Sequence, residues 1–459
     1  MHDLVSAVER PNQIVKSYFL RRILLIPPTL VGITLLVFTI TRFVPGGPMD
    51  QALMRASGGT ETGAGATRDG RGGMSEEQME ELEEQYGIDK FVLHAYGQWL
   101  GILPREVRQS KAEWGRRGDA TIGGDLDPET TVKVVLRGDG RIAHIHRSGG
   151  SISSAVFADT GEPISDDGWY VRLESEADRQ ARFVRRMGSS ATPPAYRERA
   201  IVYQRRFAGL LQGDLGRSTA YNDPVIEMIF ERMPIAFYFG ALTALISYGV
   251  CIPLGILKAL RHRTWIDSSS SILIFLGYSI PGFALGAILL VHLGARMGLL
   301  PLFGLTSPDF DLLSVGGKVR DLAHHTVLPL LCYVVGSFAY LTMMVKNNLL
   351  DNLAADYVRT AVAKGAGFRR AVFGHALRNS MIPVATTLGN LVTLFIGGSM
   401  LIETVFDIQG FGLLQYQSVI ARDVPVIMGT LTVAAGLMLL GHVLSDLIVA
   451  LVDPRIKFE

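Results

Sequence analysis

The 459 residues carry 44 Lys and Arg against 43 Asp and Glu, a net charge of +1 that singles out no polyanionic partner and gives no reason to expect nucleic-acid binding. Hydrophobic residues make up 48% of the chain and are clustered, which excludes an ordinary soluble protein: six runs approach the ~20 residues that cross a bilayer core as a helix. The only two cysteines, Cys251 and Cys332, lie inside apolar runs, which excludes a disulfide framework and makes both small buried hydrophobes.

The first run, about 23–43, follows Arg21 and Arg22 and ends in Thr41-Arg-Phe-Val-Pro45, with no small-residue cleavage site. It is too long for a signal sequence and is expected to stay as a membrane helix, with Pro27 and Pro28 tolerated near its start. Residues 45–104 begin with a Gly-rich loop, Gly46 to Gly73. An acidic helix is then expected over Ser75 to Tyr86, and a second over Phe91 to Leu100 with Tyr96, Trp99 and Leu100 turned to the membrane surface.

Residues 105–200 change character. Val132–Leu136 and Arg141–His146 flank Arg137-Gly-Asp-Gly140 and predict a β-hairpin, and Trp169–Glu174 predicts another strand. Helices are expected over Glu176–Met187 and Tyr196–Leu211, so the segment reads as a small α+β insert. His144 and His146 share a strand face, but no third ligand accompanies them, so a surface pair is expected rather than a metal site. Arg179, Arg182, Arg185 and Arg186 read as a solvated helix face balanced by acids. Residues 201–234 form a helical lead-in to the membrane.

The other five runs, about 235–257, 270–295, 326–345, 381–402 and 426–449, make residues 235–459 a five-helix core. Tyr278-Ser-Ile-Pro-Gly282 is expected to kink the second of them. A polar interruption, 346–379, follows the third run and carries Lys346, Arg359, Lys364, Arg369, Arg370 and Arg378. Its centre predicts one amphipathic helix over Tyr357–Val372, with Tyr357, Ala361, Gly365, Phe368 and Val372 on one face. Small residues at Ala361, Ala363 and Gly365 leave room for another protein's surface. Thr386, Asn390, Thr393 and Gly397 recur on one helical face, a stripe suited equally to lining a pathway and to tight helix packing.

Basic residues in short loops set the orientation. Lys16, Arg21 and Arg22, then Lys258, Arg261 and Arg263, then the 346–379 loop, and finally Arg455 and Lys457 place both termini in the cytoplasm and 45–234 outside. No phosphate-binding loop and no hydrolase motif occurs, so no catalytic residue and no metal site is assigned. No mid-span carboxylate appears, which weighs against an ion-coupled carrier. A stand-alone secondary transporter, and a membrane scaffold or sensor with an outer ligand domain, are the rival readings.

Several stretches, in order and spacing, resemble the permease subunits of bacterial ABC importers for dipeptides and oligopeptides. They are Leu20-Arg-Arg-Ile23, Val44-Pro-Gly-Gly-Pro48, Gly213-Asp-Leu-Gly-Arg-Ser218, Arg232-Met-Pro234, Tyr357–Gly365, His375-Ala-Leu-Arg-Asn379, Glu403–Gly412, Arg422-Asp-Val-Pro-Val426 and Val452-Asp-Pro-Arg455. Pro301–Leu305 and the chain's last residues are similar to the microcin C/oligopeptide-type branch. The resemblance implies an all-α polytopic protein of the bacterial inner membrane with six transmembrane helices, which forms half of a peptide pathway and is no enzyme itself. A homologous second permease, two cytoplasmic ATP-binding subunits that hold ATP and Mg, and an extracytoplasmic peptide-binding protein are its implied partners, besides the bilayer.

By the same resemblance Tyr357, Arg359, Thr360, Ala361, Ala363, Lys364 and Gly365 correspond to the ATPase-docking motif. Thr360 precedes the first Ala, and Pro383 lies farther from Gly365 than in the common form of that motif, departures that peptide permeases share. Glu403, Gly410, Gly412, Arg422 and Asp423 fall where an outer gate or binding-protein contact is expected. The roughly hundred residues between Trp99 and Leu211 have no counterpart in the family pattern.

Overall fold

A computed structural model describes residues 10–43, 80, 90–114, 130–187, 192–388 and 399–452. The chain divides into two units, one of Met1–Gln51 with Gly216–Glu459 and one of Ala52–Leu215. The first unit opens with helix α1, Arg10–Phe43, which runs through Pro27 and Pro28 and exposes most of its apolar side chains.

The second unit contains helix α2 (Val92–Leu100) and strands β1 (Arg105–Glu113), β2 (Thr131–Val135), β3 (Ile142–Ser148), β4 (Ser151–Phe157) and β5 (Trp169–Glu174). Helix α3 (Glu176–Met187) and strand β6 (Arg199–Arg206) complete it. Two antiparallel three-stranded sheets result, ordered β1-β6-β5 and β2-β3-β4. Trp114, Val134, Leu136, Ile145, Phe157 and Trp169 share one buried core.

Three expectations for this unit are corrected. Tyr196–Leu211 is not helical: β6 is the central strand of its sheet, and Arg199 to Tyr203 are all buried. A strand covered on both faces loses the alternation that would have revealed it. Tyr96 and Trp99 do not lie on a membrane surface; they are buried with Leu100, and their rings stack. Arg179 is not solvated: it is 8% exposed, pairs with Glu113 at 2.6 Å and lies over the Tyr196 ring. The acidic helix expected at 75–86 lies outside the described residues apart from Glu80. That carboxylate is buried on Arg199 at 2.7 Å, and Arg199 also reaches Glu174 at 2.5 Å.

In the first unit the chain continues with α4 (Val225–Leu260), α5 (Trp265–Ser279), α6 (Gly282–Leu289), α7 (Val315–Ala354) and α8 (Asp356–Ala363). It ends with α9 (Ile382–Leu388), α10 (Met400–Phe406), α11 (Phe411–Ala421) and α12 (Val424–Val452). Among the described residues four helices are long and apolar enough to cross a membrane: Tyr18–Phe43, α4, α7 and Val424–Ala450. A bent pair, Trp265–Ser279 with Gly282–Arg296, makes up to five, and it turns through 90°. Pro281 causes that break: it lacks an N–H and drives Ile280 into extended backbone at φ −100°, ψ 121°. Residues 389–398 of the fifth apolar run, 381–402, lie outside the described residues.

Lys346 corrects the expected boundary of the polar loop. It lies inside α7, which runs on to Ala354, and the residue is 7% exposed. Arg22 of α1 pairs with Asp446 of α12 at 3.0 Å, and the Tyr18 hydroxyl donates to the same carboxylate.

Candidate docking surface and outer-loop module

Beyond α7 the chain turns at Ala355, whose backbone is extended (φ −71°, ψ 148°), and re-enters helix at once as α8. This helix buries one side chain. Val358 is 5% exposed and packs with Ala259 of α4, Leu349 of α7, Ala371 and Ala376. Around that side chain Tyr357, Arg359, Thr360, Ala363, Lys364 and Gly365 are exposed, and Ala361 is half-buried. Arg359 lies 3.6 Å from Asp356, an exposed pair that adds little to stability. The Tyr357 hydroxyl donates to Asn352 Oδ1 at 2.6 Å, tying α8 back to the last turn of α7.

A continuous helix over Tyr357–Val372 does not form. Helix α8 ends at Ala363, and Gly365 takes φ +92°, a left-handed conformation open to glycine and costly for other side chains. Helix resumes at Phe368–Arg370, widens into a π-helical turn over Ala371–Ala376, and closes with Leu377–Ser380. The expected shared face is therefore split, since Val372 is buried while Tyr357 and Phe368 are exposed. What the segment presents is a broken ridge of apolar tips, Tyr357, Val362, Phe368 and Phe373, interleaved with Arg359, Lys364, Arg369 and Arg370. Apolar tips over a cationic ground suit a protein partner with an apolar cleft and acidic margins.

Of the expected stripe, Thr386 is exposed on α9, and its carbonyl accepts from Ser445 of α12 at 2.6 Å. Asn390, Thr393 and Gly397 lie outside the described residues.

The residues expected at an outer contact turn out to be mostly interior. Glu403 is 1% exposed and accepts from the Leu413 N–H at 2.7 Å, the Ser399 N–H at 3.1 Å and the Tyr333 hydroxyl at 3.1 Å. It thereby staples α10 to the first turn of α11 and to α7, where a carboxylate also complements the α11 N-terminus. A Cβ on Gly410 would sit 2.6 Å from Glu403 Oε2, and one on Gly412 would sit 2.7 Å from the Met400 nitrogen. The glycines in the Glu403–Gly412 stretch are thus spaces for the carboxylate and for the α10 backbone. Asp423 is likewise buried at 1% and accepts from the Ser218 hydroxyl at 2.5 Å and the Ala220 N–H at 3.2 Å. Only Arg422, in left-handed backbone at φ +52°, is exposed. Glu403, Gly410, Gly412 and Asp423 are thus buried and shape this loop from within rather than forming its surface.

Residues 251–458 match the family described as "Binding-protein-dependent transport system inner membrane component". An inner membrane ABC transporter permease protein, YejB of Escherichia coli O157:H7, is 31% identical over 446 residues, covering 96% of this chain and 99% of the relative. A peptidoglycan transport system permease protein YejB of Agrobacterium fabrum is 30% identical, covering 96% and 98%. The oligopeptide transport system permease protein AppB of Bacillus subtilis is 34% identical over 285 residues, covering 62% of this chain and 86% of its own.

Proposed function

The chain belongs to the family of inner membrane permease components of binding-protein-dependent ABC transporters, and on that premise we propose that it forms half of a peptide import pathway and couples it to cytoplasmic ATPase subunits. The observation that carries the coupling is α8: a short helix at the end of a membrane helix, which buries Val358 and exposes Tyr357, Arg359, Thr360, Ala363, Lys364 and Gly365. Peptides are the cargo we assign because oligopeptide and peptide permeases recur among its relatives. Six spans are our reading of the apolar runs, and cytoplasmic termini with residues 45–234 outside are our reading of the basic residues in the short loops.

In this account the chain hydrolyses nothing. Two ATPase subunits hold ATP and Mg, a second permease supplies the other half of the pathway, and a peptide-binding protein delivers cargo to the outer loops. Closing of the ATPases displaces α8, and the helices rock to alternate access. Gly365 is a poor probe of docking, because any substitution there also strains a φ of +92°. Ala363 is exposed and helical, so Ala363→Trp adds bulk without that strain. The expected result is loss of ATPase co-purification and of ATP-driven peptide uptake. Retention of both would overturn the docking assignment.

A further inference from the structure

Directly behind the docking segment three charged side chains from three helices meet in the interior, and the coupling scheme above leaves them without a task. Lys346 of α7 donates to both carboxylate oxygens of Asp267, at 2.7 and 2.8 Å. Lys258, in the last turn of α4 and 0% exposed, lies 3.2 Å from the same carboxylate. Its ammonium also donates to the Asp267 carbonyl at 2.8 Å and to the Ser270 and Ser271 hydroxyls at 2.8 and 2.7 Å. Asp267 further accepts from the Arg263 N–H at 3.2 Å and faces His262 Nδ1 at 3.2 Å. The partners of both ammonium groups named here all lie on α5.

Position gives this joint its meaning. Asp267, Ser270 and Ser271 sit in the first two turns of α5, the helix that leads to the 90° bend at Pro281. Lys346 lies about two turns before Ala354, where α7 hands over to α8. Lys258 adjoins Ala259, which packs with Leu349 and Val358 in the cluster beneath α8. Val358 of α8 and the start of the bent span are therefore linked through α4 and α7 by one apolar cluster and one ionic joint. Ion pairs excluded from water resist sliding, because any displacement leaves a buried charge without its partner.

We propose that Lys346, Asp267 and Lys258 form a rigid transmission joint that carries displacement of the docking helix into the bent span 265–296. They act as positioning residues, touching neither cargo nor nucleotide. The inference rests on the permease reading and adds the route by which α8 moves the pathway.

The test uses the complete transporter in proteoliposomes. Spin labels at Ser269 and Val291, both exposed on either side of the bend, report its geometry while nucleotide is trapped. In the parent complex trapping is expected to shift the label distance. In Lys346→Met the complex is expected to assemble and hydrolyse ATP within about two-fold of the parent, while the distance no longer shifts and peptide moved per ATP falls at least ten-fold. Lys346→Arg keeps the charge and is expected to restore both. Asp267→Asn, which keeps the side-chain shape, is read in the same way if Lys346→Met fails to assemble. A parent-like distance shift and parent-like transport per ATP in the charge-removing variants would overturn the joint. An inactive parent complex would instead strike at the permease reading beneath it.

Discussion

At the scale of the residue, the motif from Glu403 to Gly412 has a steric and electrostatic explanation. Glu403 is held by two backbone N–H groups and the Tyr333 hydroxyl, and Gly410 and Gly412 are small because a Cβ would enter that carboxylate or the α10 backbone. Gly412→Ala forces a backbone shift and is expected to destabilise the protein by about 1–3 kcal/mol, the usual cost of overpacking. Glu403→Ala leaves buried N–H groups unsatisfied, at about 1–3 kcal/mol. Thermal unfolding in detergent measures both, and unchanged transitions would contradict the staple. Glu80 makes a further residue-scale case. Burial alone would raise its carboxyl, but Arg199, with Lys111 and Arg182, holds it below the ordinary value. A lowered folded value means that this stabilisation is complete above the unfolded carboxylate's range and is lost as pH falls through the folded value. Unfolding midpoints taken from neutral to acidic pH should therefore fall, and Glu80→Gln should flatten that part of the profile.

At the scale of the element, four apolar runs and the bent pair were legible because membrane helices announce themselves by length and by the absence of charge. The bend was legible too, in Tyr278-Ser-Ile-Pro-Gly282. Strand β6 was not, because a central strand buried on both faces carries no period of two. The Lys346–Asp267–Lys258 joint was equally hidden: its members lie up to 88 positions apart by number, and Lys346 read as one more charge of a loop. Position Gly365 was visible as a small residue, while its left-handed turn, which splits the expected helix, was not. The support beneath α8 yields an element-scale prediction. Leu349 is fully buried under Val358, so Leu349→Ala should cost about 2–5 kcal/mol of local packing. Hydrogen exchange across 356–380 is expected to accelerate, and protection equal to the parent's would show that α8 is held by something else.

At the scale of the whole molecule, the chain pairs a membrane unit of permease type with a second unit built on two small sheets. The first carries α8, the bent span and the 403–423 module, and the second is not peculiar to this chain, because relatives 30–31% identical match 96% of it, against the expectation that residues 99–211 lack a family counterpart. The second has its own core around Trp114, Phe157 and Trp169, and its edges include the exposed strand β4. In our account it is accessory to energy coupling, so removal of residues 105–200 should leave ATPase co-purification intact. The central claim is that this chain is a peptide pathway driven from α8 by ATPase partners. Its most direct measurement is uptake of labelled peptide into proteoliposomes holding the parent or Ala363→Trp chain with the second permease, the ATPases and the binding protein. The account predicts ATP-dependent uptake by the parent and its loss in the variant together with the ATPases. Peptide uptake by this chain in vesicles without ATPase subunits, driven by an ion gradient alone, would contradict it.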